Sequence, residues 1–344
     1  MTDGGAQTGT ASGEAVVVAA LRRWPFWVGL LLGLTCLWLA FRDVSLPDVA
    51  QVLSAADGLF LFLALLVQGA NIVSKALRWR ALLGDSGRQL RFTTLLTALL
   101  AGQIVNLVLP MRLGEVARAY LVGQSQAVGK VFALGTLVVE KVIDSAVLLI
   151  LALLAVTAVG LPDWLTRPVA VTGAIVVTIL LLTVGTFHWP KCRGLASLFA
   201  RGNAWVENRL AMDPERLVVI LAQARGGLVT VGQREVALWT SVWSLGVWIT
   251  ALLTNYFLFL ALRLDVPFQA ALLLLVVLYV GVSVPSSPAR IGVFQYLVIL
   301  GLSLFSVPKS LALTYSLALY VIVFGPIIVL GIGLLWREGW HPSS

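Results

Sequence analysis

An all-α polytopic membrane protein with broken or re-entrant helices is the fold this chain predicts. Three features point to it: composition, the length of the apolar blocks, and a duplicated proline-arginine-glycine motif. Of 344 residues, 59% are hydrophobic and 12% charged, whereas a soluble domain carries ~25% charged residues, so the chain cannot cover its own surface in water. The apolar residues stand in blocks near the ~17–25 residues that a helix needs to cross ~30 Å of hydrocarbon. The pattern Pro-x-Arg-[Leu/Ile]-Gly occurs at Pro110–Gly114 and again at Pro288–Gly292, and composition alone predicts far fewer than one copy.

In chain order the blocks are 24–41, 58–77, 93–109, 131–161, 168–188, 237–262, 269–284, 297–307 and 311–336. The small and polar stretch 1–20 reads as a disordered cytoplasmic tail. The block after Arg22-Arg23 is long for a signal-peptide core and no clear small-x-small site follows it, so it reads as the first spanning helix. The transmembrane domain then covers 21–336, with a tail over 337–344. The polar segment 189–235 holds seven Lys/Arg against four Asp/Glu; it reads as a cytoplasmic loop, with room for amphipathic helix on the membrane surface.

Loop charge sets orientation. Lys75, Arg78, Arg80, Arg88 and Arg91 against Asp85 put the 75–92 loop inside, and Asp43, Asp48 and Asp57 against Arg42 leave the 42–57 loop outside. With 189–235 inside, block 131–161 must begin inside, which places Arg112, Arg118 and Lys130 on the cytoplasmic side. Block 93–109 therefore enters and returns on one side, as a re-entrant or broken helix. A cytoplasmic C-terminus at Arg337 requires the same of 269–307.

Each motif is where a helix should break. Pro110, Pro285 and Pro288 remove backbone donors, and Gly114 and Gly292 tolerate unusual dihedrals. Backbone groups freed at membrane depth need protein or a wet cavity, and broken helices in corresponding halves of a chain point to a transport site. Arg112 and Arg290 are candidates to hold an anionic headgroup, with Asn106, Glu115, Arg118, Ser286, Ser287 and Gln295 around them as substrate-binding candidates. The other reading of the two arginines is that they snorkel to the interface and anchor short helices.

Glu140, Lys141 and Asp144 fall inside block 131–161, where each charge costs ~2.5–3.5 kcal/mol at a helix centre. Glu140 and Asp144 share a face at i,i+4, and Lys141 lies i,i+3 from Asp144. They form either a polar wall of a lipid path facing Arg112 or Arg118, or the interfacial start of a helix that begins near residue 140. Lys75, Arg78 and Arg80 flank Trp79, which reads as an interfacial anchor or as a site that gathers anionic lipid from the inner leaflet.

Cys36, Cys192, His188 and His341 have no metal-ligand spacing, and no Walker loop or Gly-x-Ser-x-Gly is present. No cofactor or metal is expected, and no nucleic-acid partner, because the net charge of +8 lies in the loops between apolar blocks.

Four segments in order, Ala76–Leu83, Asn106–Arg118, Val139–Asp144 and Val284–Gln295, resemble the flippase-like membrane family that includes the N-terminal transmembrane region of lysylphosphatidylglycerol synthases. The resemblance spans nearly the whole chain. It implies two inverted repeats, about 58–188 and 237–336, and movement of a lipid between leaflets of the cell membrane. The family often has Gly at the position of Ala289 and Glu at the position of Gln295. The soluble aminoacyl-transferase domain of the two-part synthases has no counterpart here, so the chain should not make lysyl-lipid itself. The leading expectation is a translocase, not an enzyme, for an anionic phospholipid or a polyprenyl-phosphate-linked lipid. The rivals are an intramembrane enzyme using Glu115, Glu140 or Asp144 as acid or base, and a membrane scaffold for a glycosyltransferase or other lipid-processing partner.

Overall fold

The computed structural model describes residues 24–42, 44–108, 113–124, 128–159, 232–281 and 288–337, with a few isolated positions between 167 and 178. Among them are eleven α-helices: α1 (Trp24–Phe41), α2 (Leu46–Ser54), α3 (Gly58–Leu82), α4 (Gly84–Gln89), α5 (Phe92–Val108), α6 (Gly114–Val122), α7 (Lys130–Val159), α8 (Arg234–Ala261), α9 (Phe268–Gly281), α10 (Val293–Ser303) and α11 (Lys309–Arg337). A single 3₁₀ turn, Pro288–Arg290, precedes α10. The all-α polytopic expectation is met: α3, α7, α8 and α11 are each long and apolar enough to cross a membrane. The tail 1–20, most of the 168–188 block and the 189–231 part of the polar loop lie outside the described residues.

The apolar blocks mark the helices closely, with differences that matter. α3 runs five residues beyond its block, carrying Arg78, Trp79 and Arg80 on the helix. α7 begins at Lys130, which overturns the reading in which a helix starts near residue 140. Three short helices, α2, α4 and α6, lie in segments read as connections. In α2 a proline occupies the first turn, where its missing N–H costs nothing.

The chain divides into two compact units. One takes in residues 1–73, 96–118 and 246–344, the other 74–95 and 119–245. The first unit has the large apolar core, where Phe259 stacks on Tyr315 with ring centroids 4.8 Å apart, among Leu258, Leu274, Val298, Leu302 and Leu319. Polar side chains stitch its long helices together. The Asn71 side-chain amide donates to the Val247 carbonyl at 2.7 Å and to Thr250 Oγ1 at 2.9 Å, Gln68 donates to the Val323 carbonyl, and the Tyr315 hydroxyl donates to Asn255 Oδ1 at 2.9 Å. Asp57 caps the start of α3 by accepting from the Leu59 N–H, while its own N–H donates to the Ala261 carbonyl at 2.8 Å. Asp57 meets residue 261 and Asn71 meets residues 247 and 250, so α3 and α8 run antiparallel. A membrane interior supplies no water to these amides, and each has found a protein partner instead.

Candidate functional site

Both Pro-x-Arg-x-Gly motifs lie in the first unit, and each belongs to the bend of a helical hairpin. For the first, a Cβ on Gly102 of α5 would lie 2.7 Å from the Gly114 carbonyl oxygen and 3.0 Å from Arg118 Cβ, and Gly114 abuts Asn106. Residue 102 meets 118 while 106 meets 114, so α5 and α6 are antiparallel. For the second, Gly281 abuts Leu297, and Gly301 abuts Leu274. Thus α9 and α10 are antiparallel too. At ~1.5 Å per residue, the 14 residues of α9 and 11 of α10 fall short of the ~30 Å of a bilayer core.

The two bends share a construction. In the first, Asn106 Oδ1 accepts from the Gly114 N–H at 2.7 Å, and Asn106 Nδ2 donates to Glu115 Oε2 at 3.0 Å. In the second, Gln295 Oε1 accepts from the Gly292 N–H at 2.8 Å. A side-chain carboxamide thus satisfies the motif glycine in both, at the start of the returning helix where orphan donors collect. Each motif glycine also presses on the carbonyl of another glycine, Gly114 on Gly102 and Gly292 on Gly33 of α1, leaving no room for a Cβ. Gly292 further has φ +88°.

Around the second bend the backbone is strained. Ala289 and Arg290 have φ of 55° and 61°, a left-handed region that costs a residue with a Cβ roughly 1–2 kcal/mol. Contacts from α11 hold it: the Tyr320 hydroxyl donates to the Ala289 carbonyl at 2.9 Å, and the Arg290 guanidinium lies 5.9 Å from the centroid of the Phe324 ring. The same helix reaches α5, where Gly331 abuts Ile104 and Leu100. Between these two attachments stands Pro326, which deprives the Ile322 carbonyl of its helical donor.

Of the residues singled out in the sequence, Asn106, Gly114 and Glu115 are brought together in the first bend, with Arg118 buried one turn on. Pro288, Arg290, Gly292 and Gln295 are brought together in the second. Pro110, Arg112, Pro285, Ser286 and Ser287 lie outside the described residues.

The charged residues of α7 sit in the second unit. Arg78 is 1% exposed. Its Nη1 donates to Asp144 Oδ1 at 2.6 Å, and its Nη2 to Asp144 Oδ2 at 3.2 Å and Glu140 Oε1 at 3.0 Å. Lys75, one turn earlier, is within electrostatic reach of both carboxylates, so two positive and two negative charges balance in low dielectric. Arg78, read as a candidate for gathering anionic lipid, thus faces buried carboxylates, and Glu140 and Asp144 have Arg78 as a partner on the neighbouring helix. Trp79, read as an interfacial anchor, is fully buried and donates from Nε1 to Thr136 Oγ1 at 3.2 Å. Lys141 is exposed and Arg80 half-exposed. Among the described residues no group of three His, Cys, Asp or Glu could hold a metal.

Known proteins share parts of this sequence. The chain is 31% identical over 140 residues to a protein named glycosyltransferase AglD from Haloferax volcanii, a match covering 41% of this chain and 22% of that protein. It is 27% identical over 115 residues to the UPF0104 membrane protein MJ1595 of Methanocaldococcus jannaschii, covering 33% of this chain and 34% of that one. The matches thus span only about a fifth to a third of these curated relatives. The pattern described as lysylphosphatidylglycerol synthase TM region matches residues 26–331, and with nearly all of its apolar helices inside that match, the chain belongs to this family of integral membrane proteins.

Proposed function

We propose that the chain is a lipid translocase. It moves an anionic phospholipid or a polyprenyl-phosphate-linked lipid between the leaflets of the cell membrane, with Arg112 and Arg290 holding the phosphate at the two hairpin bends. The bends then act as re-entrant elements of two inverted repeats, and both termini are cytoplasmic. The observation that carries this reading is the shared construction of the bends. Each carries the proline-arginine-glycine motif in its sequence, and each has a carboxamide closing the glycine N–H and a glycine seated on a second glycine. Two interrupted elements of one design, in separate halves of a membrane chain, are the arrangement in which backbone groups and guanidiniums can serve a polar headgroup within hydrocarbon.

The test is leaflet accessibility. Purified protein is reconstituted into liposomes containing a headgroup-labelled phospholipid or polyprenyl phosphate, and the inner-leaflet pool is followed with an impermeant quencher. Protein-containing liposomes should lose the protected pool, and Arg112→Ala with Arg290→Ala should restore it. If no candidate lipid crosses faster with protein than without, the reading fails.

A second reading is favoured by the relative named a glycosyltransferase: a membrane scaffold for a lipid-glycosylating partner. Partner activity retained in the double arginine variant would support it. An acid-base role for Asp144 is disfavoured, because both of its carboxylate oxygens accept from Arg78. Lipid extracts with and without the gene discriminate further, since an enzyme alters lipid chemistry and a translocase alters only sidedness.

A further inference from the structure

Where α3 ends, α4 folds back and α8 begins, the second unit contains a cavity of about 190 Å³ that plays no part in the reading above. Its wall includes Arg80, Asp85, Arg88, Glu235, Trp239 and Trp243. We propose that this cavity is a resident binding site for a zwitterionic lipid headgroup, a phosphodiester linked to an ammonium group.

Position argues for a lipid. The apolar run of α3 gives way here to charged residues, and that of α8 begins just after Arg234-Glu235. Both are polar borders of membrane-spanning helices. Trp239, one turn inside that border, is 47% exposed, as tryptophans are at the headgroup level. The cavity therefore opens where headgroups lie.

Charge argues for a zwitterion. Two guanidiniums face two carboxylates, so the wall is formally neutral. An anionic headgroup would meet Asp85 and Glu235 together with the arginines, and a cationic one the reverse. A headgroup bearing both signs satisfies both. Guanidinium suits a phosphate, with several N–H donors in one plane, and indole faces such as those of Trp239 and Trp243 attract ammonium.

The phosphate side is pre-shaped. Arg80 donates from Nε to the Gly87 carbonyl at 3.2 Å and from Nη2 to the Arg88 carbonyl at 3.5 Å, which fixes the guanidinium against α4. That fold-back needs glycine: a Cβ at Gly87 would overlap the Arg80 carbonyl and lie 2.9 Å from Leu83 Cβ. Across the cavity Arg88 pairs with Glu235, both side chains 61% exposed. An ion pair so open to water is weak and readily exchanged, so phosphate and ammonium can replace the two partners. No residue of the wall belongs to either duplicated motif.

The test is native mass spectrometry of the full chain in detergent micelles, carrying Arg112→Ala and Arg290→Ala so that the phosphate-holding bends do not contribute, titrated with phosphatidylethanolamine and phosphatidylglycerol of matched acyl chains. This background should retain the ethanolamine lipid about fivefold more strongly, and adding Asp85→Asn with Glu235→Gln should abolish that preference. Equal retention by the background, preference for the glycerol lipid, or an unchanged preference once Asp85→Asn and Glu235→Gln are added to a monodisperse protein would overturn the proposal. If the protein with both additions does not fold, Asp85→Asn alone in this background, on the exposed face of α4, decides on the same criterion. Soluble glycerophosphoethanolamine is the last arm: displacement of bound lipid at equal concentration would assign the cavity to a soluble ligand and overturn the lipid claim, whereas failure to displace supports it.

Discussion

Arg78 holds Asp144 through both carboxylate oxygens, at 2.6 and 3.2 Å, and so fastens α3 to α7 across 66 residues of chain. With Glu140 as a third member, the pair is buried in a helix contact lined otherwise by Trp79 and Thr136. A planar guanidinium can serve two carboxylates at once. An ammonium in the same place could not reproduce the two-point grip.

Arg78→Met should destabilise the protein by about 3–5 kcal/mol, because it removes both hydrogen bonds to Asp144 and leaves Lys75 alone to balance two buried carboxylates. Arg78→Lys should fall between wild type and Arg78→Met. Thermal unfolding in detergent micelles followed by tryptophan fluorescence measures this, and Arg78→Met combined with Glu140→Gln and Asp144→Asn should recover part of the loss. A single Arg78→Met variant as stable as wild type would show that the cluster braces nothing.

Gly114→Ala and Gly292→Ala should each cost more than about 2 kcal/mol, since the new methyl meets a backbone carbonyl that cannot rotate away. Gly69→Ala is the contrast. Gly69 lies within α3 with nothing inside 4 Å of where an alanine methyl would sit, and alanine there should be neutral or stabilise by up to about 1 kcal/mol. Unfolding midpoints of the three variants, compared side by side, test the ordering.

Asn106→Leu and Gln295→Leu should each lose about 1–2 kcal/mol, from the uncapped N–H of Gly114 or Gly292. Amide hydrogen exchange is the sharper readout. Protection should fall at the start of α6 in the first variant and of α10 in the second, with the remaining helices unchanged.

Ala289→Gly should stabilise by up to about 1 kcal/mol, because glycine relieves the left-handed strain at φ 55° and gives back part of that gain as unfolded-chain entropy. Tyr320→Phe acts the other way, removing the hydroxyl that holds the Ala289 carbonyl, for a loss of about 1 kcal/mol. A combined variant that is merely additive would show that the hydrogen bond and the strain are independent.

The duplicated glycine motif was legible in the sequence, and so was its placement at interrupted helices, because proline and glycine act on the backbone within a few residues. The short helices α2, α4 and α6 were not. Segments of nine, six and nine residues are too short to be stable by themselves, and they persist because neighbours hold them, as Gly114 is held against Gly102. The destination of Arg78 was illegible for a related reason. A basic residue at the end of an apolar block ordinarily snorkels, and nothing local to residue 78 reveals that α3 continues to Leu82 beside two carboxylates on another helix.

By itself the sequence determined that the chain is helical and membrane-embedded, where its apolar helices lie, and which two places interrupt them. Those properties follow from transfer of side chains into hydrocarbon and from hydrogen bonds between residues four apart, both of which are local. Only the tertiary structure decided that Glu140 and Asp144 meet Arg78, that Asn106 and Gln295 close the two motif glycines, and that Arg80, Asp85, Glu235 and Trp239 line one cavity. Such partnerships depend on which helix faces are packed together, and residues far apart in the chain carry no local mark of that choice.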